Sequence, residues 1–275
     1  MKTFQLSEKL LKKIADLIQA KKNSPLKKLV KDIHFADMAD IIDELNLDEG
    51  VYLIKLFDSE KTSEILTELD DDVREKILKR LSVKEIADEI EELDSDDAAD
   101  ILGELSDQRK EEVISEISDD SLADDLKELL SYEENSAGGL MAKELVKANE
   151  NWTVTKCLKE IKQQGENVTR VHSIYVVDDK EKLIGRLSLK DLITSPSKKL
   201  IKDIYIPKVD SVNVFEDGEE VAKVMSKYDL EAIPVINNKK QLLGRITIDD
   251  IVDLIKEEAE EDYLLAAGVQ GDVEA

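Results

Sequence analysis

Residues 81–105 read LSVKEIADEIEELDSDDAADILGEL, which covers two periods of a 12-residue pattern that extends from residue 42 to residue 130. Each period has an apolar residue at an inner position and a second apolar residue three positions earlier. The inner series is Leu45, Phe57, Leu69, Leu81, Leu93, Leu105, Ile117 and Leu129. The earlier series is Ile42, Ile54, Leu66, Leu78, Ile90, Leu102, Ile114 and Leu126. Residues three apart share one face of an α-helix, so the pattern predicts a short helix in each period.

A polar residue that can cap a helix follows the inner position in seven periods. These residues are Asn46, Asp58, Asp70, Ser82, Asp94, Ser106 and Ser118. Such side chains accept hydrogen bonds from the free amides that open the next helix. Because a helix of about two turns buries too little apolar surface alone, the repeats are expected to stack into a right-angled spiral or solenoid.

One surface of this predicted solenoid is expected to be acidic. The position two before the earlier apolar residue, here called the acidic stripe, is occupied by Asp40, Tyr52, Glu64, Lys76, Asp88, Asp100, Glu112 and Asp124. Asp96 lies one helical turn before Asp100 and shares its face, with Asp97 beside it. The stripe is either a solvated face that keeps the solenoid soluble or a surface that binds cations.

The chain has 275 residues and a formal net charge of -25, and the excess of acids lies in residues 32–130 of the solenoid. Residues 32–130 contain 34 acids and 10 bases, whereas residues 1–31 contain nine lysines and two acids. The acidic surface should repel nucleic acid and anionic lipid, and it should attract cations or basic partners. The lysine-rich start is expected to form a solvated amphipathic helix, with a membrane-surface role as the alternative.

Cysteine and hydropathy narrow the class of protein further. The one cysteine, Cys157, excludes an internal disulfide and favours a reducing compartment. His34 and His172 lie far apart in sequence, so we do not expect a zinc site. Because the sequence has neither an apolar run of 18 residues nor the apolar core of a signal peptide, the chain as given is expected to be soluble.

After the paired glycines at residues 138 and 139, short apolar strands alternate with helices, and the pattern occurs twice. The first copy contains the segments Ser173-Ile-Tyr-Val-Val-Asp-Asp and Leu183-Ile-Gly-Arg-Leu-Ser-Leu-Lys-Asp-Leu-Ile. The second copy, 59 residues later, contains the matching segments Ala232-Ile-Pro-Val-Ile-Asn-Asn and Leu242-Leu-Gly-Arg-Ile-Thr-Ile-Asp-Asp-Ile-Val. This arrangement resembles tandem CBS domains, named for cystathionine β-synthase.

The order of all these segments resembles the cytosolic half of the MgtE family of magnesium channels and transporters. In this chain the segments are, in order, the solenoid, Tyr132-x-Glu134-x-Ser136-Ala-Gly-Gly-Leu-Met141, the CBS pair and an acidic helix from Ile255 to Tyr263. The implied fold class is multidomain α plus α/β, with a superhelical solenoid, a tandem CBS pair and an acidic C-terminal helix. The implied bounds are 1–130 for the solenoid, 131–141 for a hinge, 142–200 and 201–255 for the CBS domains, and 256–275 for the start of a connecting helix.

The resemblance also implies a location and a partner. In the family this helix leads to a membrane pore, so we interpret the chain as a truncated regulatory part on the cytoplasmic side of the cell membrane. A naturally soluble homologue is the alternative. CBS pairs generally associate, so a homodimer through residues 140–255 is expected, and in the full-length protein the transmembrane domain would be a further partner.

The resemblance implies a regulatory magnesium site formed by oxygen ligands, which Mg²⁺ prefers. The matching positions are Glu64, Asp96, Asp100, the carbonyl of Gly139, Asp217, Glu219, Ser226, Asp229 and Asp250. For Asp217 and Glu219 the alternative is ordinary capping of a helix N-terminus, and for Gly139 it is a turn. An EF-hand at residues 94–100 is excluded, because the loop lacks glycine at its sixth position and has alanine at a ligand position.

A second ligand implied by the CBS resemblance is an adenine nucleotide such as ATP. Ser188 and Asp191 match the residues that contact ribose hydroxyls, and helix capping by Ser188 is the alternative. The sequence has no catalytic Ser-His-Asp or Cys-His arrangement, P-loop or Rossmann glycine pattern, so we do not expect an enzyme. Three hypotheses stand: a magnesium-sensing regulator of a transporter, a nucleotide-sensing CBS module with a partner-binding solenoid, and a structural scaffold.

Overall fold

The computed structural model describes residues 6–165, 168 and 170–266. In it the chain forms two compact units that divide between Lys127 and Glu128. The helices are α1 (Glu8–Gln19), α2 (Asn23–Val30), α3 (Phe35–Asp43), α4 (Leu47–Ile54), α5 (Ser59–Thr67), α6 (Asp71–Leu78), α7 (Val83–Ile90), α8 (Ser95–Gly103), α9 (Asp107–Glu116), α10 (Asp120–Leu129), α11 (Val154–Gln164), α12 (Leu189–Thr194), α13 (Gly218–Tyr228) and α14 (Ile248–Ala266). The strands are β1 (Val146–Asn149), β2 (Ile174–Val177), β3 (Leu183–Leu187), β4 (Val212–Asn213), β5 (Ala232–Ile236) and β6 (Leu242–Thr247).

The first unit is the predicted helical repeat. Helices α3 to α9 begin at residues 35, 47, 59, 71, 83, 95 and 107, which confirms the 12-residue period. Alternate helices pack on each other: α3 on α5, α5 on α7, α7 on α9, and α4 on α6. The unit is therefore a superhelical solenoid with an odd-numbered and an even-numbered row of helices.

Several of the predicted caps form as expected. Asn46 accepts a hydrogen bond from the Glu49 amide at 3.1 Å, and Ser82 forms a reciprocal capping box with Glu85. Asp70 and Ser106 occupy cap positions without a side-chain cap bond. The prediction for Ser118 is wrong by one residue, because Asp119 accepts from the Ser121 amide at 2.8 Å and α10 begins at Asp120.

Two long basic side chains tie distant turns of the solenoid together in the same way. Lys61 donates to the carbonyls of Val30 and Ile33, at the C-terminal end of α2. Arg109 donates to the carbonyls of Leu78 and Leu81, at the C-terminal end of α6. Each cation donates to carbonyls at the C-terminal end of a different helix, where carbonyls lack partners within that helix. The two cations are four periods apart in sequence.

The second unit consists of two small sheets with helices, as the CBS resemblance predicts. In each sheet the first strand is parallel to the second, and the second is antiparallel to the third: β1-β2-β3 and β4-β5-β6. The first module buries its core around Val146, Cys157, Ile174, Val176 and Leu187. Its β2–β3 turn pairs with the β5–β6 turn of the second module through Lys182 and Gln241.

The two modules also exchange their leading segments. Ala142 precedes the first module but forms reciprocal backbone hydrogen bonds with Arg245 of β6, at 2.8 and 2.9 Å. Ile206 precedes the second module but pairs in the same way with Arg186 of β3, at 2.8 and 3.0 Å. Each module is therefore completed by backbone from the segment that leads into the other one.

No helix in the described part of the chain is both long enough and apolar enough to cross a membrane.

Candidate metal and nucleotide sites

The acidic stripe lies on the surface of the solenoid. All six of its acids are exposed, and they include the predicted ligands Glu64 on α5 and Asp100 on α8. Asp96 is half-buried in the first turn of α8, where its Oδ1 accepts a hydrogen bond from the Asp97 amide at 3.0 Å. The amides at a helix N-terminus favour negative charge there.

These three predicted ligands do not all share one row of helices. Glu64 belongs to the odd row, because α5 packs between α3 and α7. Asp96 and Asp100 belong to α8, which is tied to α6 of the even row by Arg74, whose Nε donates to Glu104 at 2.6 Å. The structure therefore groups Asp96 with Asp100 and places Glu64 on the other row.

The predicted ligands of the second module lie at the two ends of α13. Asp217 is the N-cap of this helix and accepts from the Glu219 amide at 3.0 Å, as the capping alternative predicts. Ser226 and Asp229 are exposed at the other end, where Asp229 adopts a left-handed conformation with φ 50°. Since 11 residues of α-helix span about 16 Å, one ion cannot contact both pairs. If all four bind Mg²⁺, they must serve at least two ions.

Gly139 lies in a segment that is held against the Asp217 end of α13. Gly138 donates to Val214 at 2.8 Å, Ala137 donates to Glu216 at 2.7 Å, and Ser136 forms a β-bridge with Asp217. A Cβ atom on Gly139 would overlap the carbonyl oxygens of the preceding turn, so only glycine fits there. The structure thus places the segment that contains Gly139 next to Asp217 and the first turn of α13, to which Glu219 belongs.

Asp250 has a different environment. Its Oδ2 accepts from both the amide and the hydroxyl of Thr247, each at 2.7 Å, at the start of α14. Burial raises the pKa of Asp250, and the neighbouring Asp249 adds to the rise. This carboxylate therefore caps α14, which leaves less of it for a metal ion than the exposed acids offer.

Ser188 and Asp191 are the counterparts of Thr247 and Asp250 in the first module, yet they are not bonded to each other. Ser188 is the N-cap of α12 but makes no side-chain cap bond. Both residues are half-buried, and neither side chain has a hydrogen-bond partner among the described residues. The capping alternative for the Ser188 hydroxyl is wrong. This hydroxyl can donate to or accept from a ligand, and the Asp191 carboxylate can accept from one.

One buried carboxylate was missed by the sequence reasoning. Glu89 occupies a repeat position that is apolar and buried in six other periods. Those equivalents are Ile41, Leu53, Ile65, Ile77, Ile101 and Val113. The Glu89 Oε2 is buried and has no hydrogen-bond partner among the residues that the structure describes. Burial raises its pKa to about 8, and neighbouring acids, Asp88 first among them, add to the rise. A comparison of that column across the repeats would have identified it from the sequence.

Comparison with known proteins agrees with this architecture. A family model for the MgtE intracellular N domain matches residues 33–135, and one for the CBS domain matches residues 137–198 and 201–257. The magnesium transporter MgtE of Enterococcus faecalis is 41% identical over 141 residues, and that of Thermus thermophilus is 40% identical over 134 residues. These matches cover 51% and 49% of this chain, but only 31% and 30% of the two transporters.

Solved structures match over most of the chain. One is the soluble part of a magnesium transporter, with a TM-score of 0.77 and 29% identity, which covers 92% of this chain and 99% of the other. Another is the cytosolic domain of the Mg²⁺ channel MgtE in complex with ATP, with a TM-score of 0.81 and 31% identity, which covers 89% of this chain and 99% of the other. From the paired family models and this extensive match, we conclude that the chain belongs to the MgtE family.

Proposed function

We propose that this chain is the magnesium-sensing regulatory region of a magnesium transporter or channel. The observation that carries the proposal is the display of exposed carboxylates on both units of a chain whose relatives are named magnesium transporters. In the solenoid these are the acids of the stripe, and in the second unit they flank α13. Mg²⁺ binds such oxygen ligands while it keeps several of its waters.

Charge repulsion supplies the switching force in this proposal. Two carboxylates about 6 Å apart repel by roughly 3 kcal/mol at an effective dielectric constant near 20. Without Mg²⁺, the acids of the two units favour separation, and bound Mg²⁺ reverses the sign of the interaction. Ion binding and closure are then linked, so each favours the other. In the whole protein the closed form would hold the pore shut, which gives negative feedback on cytosolic magnesium.

The hydrogen bonds of residues 136–138 tie the later part of the predicted hinge to the second module. These residues are held by Val214, Glu216 and Asp217, so they should move with the second module. We therefore propose that the joint lies before Ser136, toward the boundary between Lys127 and Glu128 where the two units divide.

Isothermal titration with Mg²⁺, combined with limited proteolysis, tests the site. The wild-type chain should bind Mg²⁺ and gain protection from trypsin, whereas D217N/D229N should lose most of both effects. The control D203N/D210N changes two exposed acids of the same unit and should behave as wild type. Equal binding and protection in D217N/D229N would rule out these residues as ligands.

A nucleotide is the second ligand we propose, because Ser188 and Asp191 keep free hydrogen-bonding groups and a related cytosolic domain was solved in complex with ATP. Titration with ATP should give binding that S188A/D191N loses and that T247V keeps, since Thr247 is bonded to Asp250. If ATP binds and Mg²⁺ does not, the nucleotide-sensing module with a partner-binding solenoid is the better description. Absence of ATP binding would remove this second ligand.

We also propose a homodimer through the CBS pair, located on the cytoplasmic side of the cell membrane, where α14 leads toward a transmembrane domain in the whole protein. Large apolar side chains are exposed on α12 and α14: Leu189, Ile193, Ile248, Val252 and Ile255. A second copy would bury this apolar surface. In sedimentation analysis, I193K/V252K should be monomeric, and a dimeric double variant would contradict this interface.

A further inference from the structure

Helices α1 and α2 form a basic surface that the proposed magnesium site does not use. They precede residue 33, where the match to the MgtE N-domain model begins. Their apolar side chains Ile14, Ile18, Leu26 and Val30 are buried in the first unit. The lysines of this segment are all exposed: Lys9, Lys12, Lys13, Lys21, Lys22, Lys27, Lys28 and Lys31.

These lysines stand apart from the acids that dominate the chain. None of the eight has a carboxylate within 4.0 Å in the described structure, although lysines elsewhere in the unit form ion pairs. Residues 6–31 contain only two acids, Glu8 and Asp16, so the segment carries a net charge of +6 in a chain of -25. At physiological ionic strength, charges farther away than about 8 Å are largely screened. The segment therefore presents a locally positive surface to any partner that reaches it.

The composition of this surface favours one kind of anion. Residues 6–31 contain no arginine and no aromatic residue, which are the side chains that fork to phosphates or stack on bases. The segment also has no large exposed apolar side chain that could insert into a hydrocarbon layer. Lysines alone provide point charges on flexible stems, which suit a fluid array of anionic headgroups.

We propose that the outer face of α1 and α2 adsorbs to an anionic phospholipid surface through charge alone. The idea rests on the proposed function, because a regulatory region of a membrane transporter works beside a bilayer. Adsorption would keep the start of the solenoid near the membrane. Each lysine near such a surface strengthens binding about five-fold, so the full set can retain a chain of opposite net charge.

Vesicle co-sedimentation of the full chain tests this surface. The vesicles contain phosphatidylcholine with or without about one-third phosphatidylglycerol, and EDTA is present so that no divalent ion can bridge carboxylates to lipid. Binding is expected only with phosphatidylglycerol. It should fall steeply between about 50 and about 300 mM salt, because the higher ionic strength shortens the Debye length and screens the lysines from the lipid. Wild-type protein that stays in solution at low salt would overturn the proposal.

A matched pair of variants localises the binding. K12Q/K13Q/K27Q/K28Q should lower the partition coefficient by about two to three orders of magnitude, as expected from about five-fold per lysine. The control K198Q/K199Q/K202Q/K239Q removes the same charge from exposed lysines of the second unit and should lower it less than about five-fold. Equal losses in the two variants would contradict a local surface, and circular dichroism checks that both variants are folded.

Two further measurements distinguish this proposal from a nucleic-acid surface and from the proposed magnesium function. Single-stranded RNA and soluble phosphatidylglycerol are compared as competitors, at equal concentrations of negative charge, for displacement of the protein from vesicles. Displacement by the RNA at a lower charge concentration than the lipid needs would identify a nucleic-acid surface and overturn the lipid assignment. Mg²⁺-dependent protease protection should persist in K12Q/K13Q/K27Q/K28Q. Lipid binding without any Mg²⁺ response would instead refute the magnesium function and leave the basic surface standing.

Discussion

Gly185 and Gly244 occupy equivalent positions in the two CBS modules, and each faces the backbone that crosses over from the other module's leading segment. A Cβ on Gly244 would lie 2.5 Å from the Ala142 carbonyl oxygen, and one on Gly185 would overlap the Ile206 carbonyl oxygen. The glycines in the repeated Gly-Arg sequence are therefore required by close backbone approach. They are what allows the two modules to exchange segments.

Alanine at either position should destabilise the second unit. G185A and G244A are each expected to lower the free energy of unfolding by about 1–3 kcal/mol, because a methyl group must displace backbone. Urea denaturation measures the change. The control G165A adds a methyl group where no atom lies within 4 Å, and it should be neutral or stabilising. A loss in G165A as large as in G244A would contradict the steric explanation.

Glu89 should make the first unit less stable as the pH rises. The folded state keeps this carboxyl protonated up to a pKa of about 8, whereas the unfolded chain ionises it near the ordinary value of 4.5. Between these values the folded state binds the extra proton, so stability falls as pH increases and levels off above pH 8. Asp43, with a pKa raised to about 6 chiefly by burial, contributes in the same direction at lower pH.

Replacement of Glu89 by an apolar residue tests this behaviour. E89L restores the buried apolar column and should stabilise the protein by about 1–2 kcal/mol at pH 8.5, a value reduced for partial solvent screening of this half-buried side chain. At pH 5 its advantage should be small. Urea denaturation at both pH values measures it, with E116Q, at an exposed position on α9, as the control. A gain that does not depend on pH would show that packing alone, and not ionisation, explains the effect.

Lys61 and Arg109 should each stabilise the solenoid through the carbonyls that they cap. Burial lowers the pKa of Lys61, which indicates that part of its stabilisation is lost to desolvation. K61M and R109M should each cost about 1–2 kcal/mol of unfolding free energy, because two carbonyls lose a charged donor. Urea denaturation measures both, and K84M, at an exposed lysine on α7, is the control. Unchanged stability in K61M and R109M would show that water replaces them fully.

The sequence predicted the parts of the fold that depend on local pattern. The 12-residue period and caps such as Asn46 and Ser82 follow from residues within one helical turn of each other. The Ser118 prediction failed by one residue because Asp119 offers an equally good cap next to it. The repeat of Gly185 and Gly244 was visible, but its cause was not, because the crossing residues are distant in sequence.

The candidate site was predicted less completely, for physical reasons. The family resemblance placed Asp217 and Gly139 in one set of ligands, and the backbone bonds of residues 136–138 hold the segment before Gly139 next to Asp217. The same set included Asp250, whose carboxylate accepts hydrogen bonds from Thr247 at the start of α14. This pairing depends on local side-chain geometry. Ser188 and Thr247 occupy equivalent positions of the repeat, and the sequence alone does not reveal that, among the described residues, only the Thr247 hydroxyl is bonded to the aspartate three residues later.

Small-angle X-ray scattering during a Mg²⁺ titration tests the magnesium switch most directly. The radius of gyration of the wild-type chain should decrease between zero and millimolar Mg²⁺, and it should not decrease when KCl of equal ionic strength replaces the magnesium salt. D217N/D229N should stay extended throughout. A radius of gyration that is the same with and without Mg²⁺ would contradict the account.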